Sequence, residues 1–144
     1  RMLDTCRELG VAFVAFSPLA RGMLAGTPLE PSSFPKGDFR RANPRFIEPA
    51  FSQNRDALAG FEALARRRGM TPAQMALAWV LAANGDVIAI PGTRSAEHMA
   101  ENVAAARFSL TRADREEIAS VFPTGFPWGN RYSDAQLLGV EASD

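Results

Sequence analysis

Two stretches of the chain are short, aliphatic and without alternation: VAFVAF at residues 11–16 and DVIAI at residues 86–90. Runs of this length, bounded by turn residues, predict parallel strands buried on both faces. The segments around them follow other spacings. Met2, Leu3, Cys6 and Leu9 recur at helical intervals, and Gly10 is a natural stop, which predicts a helix over Met2 to Leu9. Residues 27–53 hold five of the ten prolines and many charges with no sustained period, which predicts a long loop of a kind usually tied to function. From Asn54 to Gly69, Leu58, Phe61, Leu64 and Ala65 form one stripe, and Arg66 to Arg68 enrich the last turn as a solvated helix end. TPAQMALAWVLAAN opens with Thr71 as cap and Pro72 at the first helical position, then becomes nearly all apolar, the pattern of a buried helix. Ser95 caps a helix running to about Arg107, Thr111 caps another, and RYSDAQLLGVEASD can add one short terminal helix.

Strands alternating with helices in this order predict βαβ units and a parallel sheet. Ligands of such folds sit beyond the carboxyl ends of the strands, here SPLARG and PGTRS. Both chemically suggestive motifs of the chain fall there.

Composition narrows the picture. The 144 residues, 47% hydrophobic and 22% charged, suit about one globular domain. Sixteen basic and sixteen acidic residues cancel, so the overall charge gives no case for nucleic acid or a membrane surface as partner. No apolar run approaches the roughly 20 residues of a membrane span and no leader pattern opens the chain, so a cytoplasmic setting is expected. Cys6, the single cysteine, reads as a buried small residue. The chain starts at Arg1 in what reads as mid-helix, so it is expected to be part of a longer gene product.

In PGTRSAEHMAEN a strand ends, Pro91-Gly92 bends the backbone, and Thr93, Arg94 and Ser95 meet a helix N-terminus. The free N–H groups and positive dipole end there favour an anion. Arg94 adds a planar fork suited to phosphate. Arg94, His98, Glu101 and Asn102 are spaced to share one helix face, beside a stripe of Met99, Val103 and Ala106. Taken alone, the stretch stands level between an anion site and an ordinary capped helix, and His98 alone reads more readily as a surface residue. In FSPLARGMLAG, Phe16 closes the strand, and Gly22 and Gly26 permit close approach of backbone to a ligand such as a diphosphate. A Phe at a strand end is more often core. There is no G-x-G-x-x-G or Walker loop, no metal-ligand spacing, and no nucleophile elbow.

Five blocks carry a resemblance: VAFVAFSPLARGMLAG, DFRRANPRF, GMTPAQMALAWVLA, VIAIPGTRSAEHMAENVAA and GNRYSDAQ. In this order they resemble the C-terminal half of an aldo-keto reductase of the bacterial and plant type. The resemblance implies an α/β fold, the C-terminal part of a (β/α)8 TIM barrel whose seventh and eighth strands are the two here, with residues 27–53 as a long loop within it. It implies NADP(H) as cofactor and a small-molecule carbonyl as substrate, reduced to an alcohol by the parent enzyme. Phe16 matches the aromatic residue that stacks on the nicotinamide. Ser17, Pro18, Leu19, Arg21, Gly22 and Leu24 fall in the loop that holds the pyrophosphate. Gly92, Thr93 and Arg94 match the neighbourhood of the 2′-phosphate, and His98, Glu101 and Asn102 the adenosine end. His98 stands where many members have Arg, and Gly92 where some have Lys, which leaves Arg94 as the main positive charge. The family's catalytic tetrad lies on the first four strands, which no segment here matches. The chain alone is therefore expected to be inactive and to bind its missing half or copies of itself. An alternative from another class is a non-catalytic NADPH-binding regulatory module, similar to the potassium-channel β subunits.

Overall fold

The computed structural model describes residues 2–83, 86–122 and 126–137. Helix α1 (Met2–Glu8) leads into strand β1 (Phe13–Phe16), and a long connection reaches α2 (Ala50–Arg67) and α3 (Pro72–Leu81). Strand β2 (Val87–Ile90), α4 (Ala96–Ala104), α5 (Arg112–Val121) and the short α6 (Asp134–Leu137) follow. The strands pair in parallel, Phe13 against Val87 through Phe16 against Ile90. The carboxyl ends of both strands therefore lie side by side. Among the described residues no helix is long and apolar enough to cross a membrane.

The main core lies where α2, α3 and α5 meet, with Phe61, Leu64, Met75 and Ile118 almost wholly buried. The helical stripe that sets this packing was legible in the sequence. Thr71 caps α3 reciprocally with Gln74, and Thr111 caps α5 in the same way with Asp114. The arginines ending α2 are not merely solvated, contrary to expectation. Arg67 reaches Glu117 at 2.5 Å, and Arg68 lies 2.6 Å from Asp114, so the end of α2 is clamped to α5.

Other expectations need correction. The strands are not buried on both faces: Val14 and Phe16 are each 52% exposed, Ile88 52% and Ile90 49%. Helices cover only the alternate positions, since α3 packs on β2 from one side, while no helix among the described residues packs on the other. Trp79, near the end of α3, is exposed where a buried helix was expected, and Cys6 is only half-buried.

Helix α2 begins at Ala50, four residues before the predicted start. The loop ahead of it is not featureless. It makes 3₁₀ turns at Pro31–Ser33, Phe39–Ala42 and Pro44–Phe46, and builds a second core from Met23, Phe34, Phe46 and Phe51. The helix predicted from Ser95 to Arg107 is α4 followed by a 3₁₀ turn at Ala105–Arg107. The expected end of the TPAQMALAWVLAAN helix at Asn84, and the tail beyond Leu137, lie outside the described residues.

Candidate cofactor site

Beyond β1 the backbone takes an uncommon path. Ser17, Ala20 and Arg21 have φ of 53°, 49° and 61°. Non-glycine residues in this left-handed region are strained, and such strain persists only where surrounding contacts over-determine it. Within the turn Ala20 N donates to the Ser17 carbonyl and Gly22 N to the Leu19 carbonyl, each at 3.0 Å, and Arg21 adds long-range contacts. Arg40 Nη1 donates to the Arg21 carbonyl at 3.3 Å, and Arg21 Nη1 donates to the Arg131 carbonyl at 2.8 Å. Arg40 is fixed in turn: its Nη2 meets Asp38 Oδ2 at 2.7 Å, and its guanidinium lies 4.1 Å from the Phe34 ring centroid. Hydrogen bonds from Arg40 hold the Asp38 carboxyl below its usual pKa.

The tail completes this side. Asn43 and Asn54, polar yet fully buried, tie it down. Asn43 Nδ2 donates to the Arg131 carbonyl at 2.9 Å. Asn54 makes a two-way bond with the Trp128 backbone, donating at 2.9 Å and accepting at 3.0 Å. Gly129, at φ 84°, passes so close to Pro44 that a Cβ would stand 2.8 Å from its carbonyl oxygen.

Beyond β2 the construction is local. Thr93 Oγ1 accepts from Ser95 N at 3.1 Å, and Ser95 Oγ accepts from His98 N at 3.3 Å, capping α4. Because α4 starts at Ala96, Arg94 precedes the cap and is not part of the helical face. That face runs through His98, Glu101 and Asn102, while Met99 and Val103 beside it are exposed.

A cavity of about 750 Å³ opens between the two strand-end loops. Ser17, Pro18, Leu19, Arg21 and Gly22 line it from the β1 side. Gly92, Thr93, His98, Glu101 and Asn102 line it from the β2 side. Three expected residues stand outside the wall. Leu24 packs against the main core, Phe16 lies under the guanidinium of Arg131, and Arg94 is exposed. The wall also includes Pro35, Asp38, Phe39 and Arg40 of the long loop, and Ala73 at the start of α3. Asp38, Phe39 and Arg40 all sit in the DFRRANPRF block, although the resemblance assigned none of them to cofactor contact. The wall chemistry suits a phosphorylated nucleotide: Arg21, Arg40, the Thr93 hydroxyl and the N-terminal end of α4 can all meet anionic oxygens.

The model of the aldo/keto reductase family matches residues 1–122. The chain belongs to the aldo/keto reductase family. It is 42% identical over 120 residues to aldo-keto reductase str7 of Strobilurus tenacellus, covering 83% of this chain and 35% of that protein. It is 36% identical over 131 residues to aldo-keto reductase yakc [NADP(+)] of Schizosaccharomyces pombe, covering 91% and 38%. Among solved structures it superposes on the glycerol dehydrogenase AKR11B4 of Gluconobacter oxydans with a TM-score of 0.77 at 30% identity, over 87% of this chain and 38% of that one. A thermostable aldo-keto reductase, Tm1743, in complex with the inhibitor epalrestat superposes at 0.54 with 26% identity, over 83% and 33%. The chain thus spans a little over a third of the length of these curated relatives, and its α/β fold is that of part of an aldo-keto reductase.

Proposed function

We propose that the protein carrying this chain reduces an aldehyde or ketone to an alcohol with NADPH, and that these residues form its C-terminal, cofactor-binding part. The observation that carries this reading is the cavity at the ends of two parallel strands. Ten residues singled out from the sequence for cofactor contact line it together. In this reading β1 and β2 are strands seven and eight of a (β/α)8 barrel, and the catalytic tetrad belongs to strands outside the chain. The bare sheet face of Val14, Ile88 and Ile90 is then the surface that the remaining strands, or a partner copy, would cover.

Bound NADPH supplies the hydride. The β1 loop offers Arg21 and Ser17 to its pyrophosphate, and its rigidity limits the entropy lost on binding. Phe16, half-exposed at the strand end, offers a ring face to the nicotinamide. Thr93 and Arg94 take the adenosine 2′-phosphate. Arg94 is exposed and free of any ion pair among the described residues, so it is available to an incoming phosphate. His98, Glu101 and Asn102 face the adenosine end. The Schizosaccharomyces pombe relative is named for NADP(+), which accords with this choice of cofactor.

The test is a titration of wild-type and Arg94→Ala protein with NADPH and NADH. Loss of one charge-assisted phosphate contact, about 1.5–3 kcal/mol, should weaken NADPH roughly 10- to 100-fold and leave NADH little changed. Equal losses for both would remove Arg94 from the 2′-phosphate. Carbonyl-dependent oxidation of NADPH by the wild type tests the reductase activity itself. Tight NADPH binding without turnover of any aldehyde or ketone would favour the regulatory module.

A further inference from the structure

Arg131 lies far from both strands in the sequence but is fixed at the end of β1. Its carbonyl accepts from both Arg21 Nη1 and Asn43 Nδ2, across 110 and 88 residues. With the backbone pinned, the guanidinium carbon sits 4.7 Å from the centroid of the Phe16 ring and 5.7 Å from that of Tyr132. Arg21 lies against the same Tyr132 ring, at 5.1 Å. Phe16 is still 52% exposed beneath this contact, so much of its ring remains open.

Among the described residues Arg21, Arg45 and Arg131 make no ion pair with a carboxylate. Burial, and after it the charges of Arg21 and Arg131, hold the Arg45 pKa below its usual value, as expected where guanidinium groups gather. A half-exposed ring at a strand end thus carries a fixed positive charge on it, with two more of the same sign nearby.

We propose that Arg131 sets the preference of the site for reduced over oxidised cofactor: its charge on one face of Phe16 disfavours a cationic nicotinamide stacked on the other. This rests on the reading of Phe16 as the nicotinamide platform. The reduced ring is neutral and meets no such repulsion. The nicotinamide would lie on the order of 10 Å from the guanidinium, the 4.7 Å contact plus about 5 Å between stacked rings. At an effective dielectric constant of about 20 to 40 the Coulomb repulsion over that distance is a factor of roughly 4 to 16 in affinity, and solvent screening of the exposed Arg131 takes it to the lower part of that range. Arg131 is thereby a positioning and charge-bearing residue that acts through Phe16.

The experiment measures dissociation constants of NADPH, NADP+ and 2′,5′-ADP for the wild type, Arg131→Met and Arg131→Lys. Arg131→Met keeps a long apolar side chain but no charge. The ratio of NADP+ to NADPH dissociation constants should fall about 3- to 10-fold in it, with 2′,5′-ADP, which lacks the nicotinamide, unchanged. Arg131→Lys should restore most of the ratio. A ratio that stays constant in Arg131→Met, or a loss of 2′,5′-ADP equal to that of NADPH, would overturn the proposal and leave the cofactor site standing. A wild type that binds none of the three would overturn both.

Discussion

After β1 the chain holds three non-glycine residues at positive φ, and Arg21, the last of them, is tied by bonds from positions up to 110 residues away. After β2 it closes a Thr–Ser cap within three residues and leaves Arg94 exposed. The two loops face one cavity but are stabilised differently. The β1 side is a rigid cradle whose shape depends on the tail and the long loop, and its binding groups are set before any ligand arrives. The β2 side carries its charge on an exposed side chain in front of a locally built helix end. Pre-set donors suit a diphosphate that must be held in one place, while a free arginine can close on a phosphate at the periphery.

If this contrast is right, changes at the β1 side should be costly and felt at a distance, and changes at the β2 side cheap and local. The largest effect is expected from Asn54→Ala, which strands the Trp128 backbone groups. Thermal unfolding should report a loss of about 2–4 kcal/mol, together with weaker cofactor binding as the tail comes away. Gly129→Ala comes next, at about 2 kcal/mol, because a Cβ at positive φ would press on the Pro44 backbone, which cannot move aside cheaply. On the other side Ser95→Ala removes a single cap and should cost about 1 kcal/mol with tail contacts intact, as judged by hydrogen exchange of residues 126–137. A Ser95 variant more damaging than the Asn54 variant would invert the comparison.

The smallest effect is an acid one. The Asp38 carboxyl has its folded-state pKa pulled below the usual 3.8 by Arg40, so its contribution is complete above that value and is lost as the pH falls through the lowered one. Acidification below about pH 4 should therefore loosen the β1-side loop, seen as faster exchange around Arg21, and Asp38→Asn should remove that dependence. The β2-side cap, built from hydroxyls, should show none.

Legibility in the sequence follows the same division. The Thr71, Ser95 and Thr111 caps, the α2 stripe and both strands depend on spacing within a few residues, and the sequence pattern was enough to place them. The ledge of His98, Glu101 and Asn102 is also local, and these residues do line the cavity together. What depends on distant partners was invisible: the anchoring of Arg21 by Arg40 and by the Arg131 carbonyl, and the clasp of Asn43 and Asn54 on the tail. Asn43, in an irregular, proline-rich stretch, and Asn54, near the start of α2, give no local hint that they will be fully buried. The exposed strand face misled for a further reason. An aliphatic run records the surroundings in which a strand is meant to be packed, and the described residues supply only one of its two faces.

The most direct measurement is a crystal structure of the protein carrying this chain with NADPH bound. The account predicts one dinucleotide across both loops, with the adenosine 2′-phosphate at Thr93 and Arg94, the pyrophosphate beside Arg21, and the nicotinamide against the face of Phe16 away from Arg131. A nucleotide bound outside the cavity between β1 and β2, or one whose nicotinamide lies at the α4 end, would contradict it.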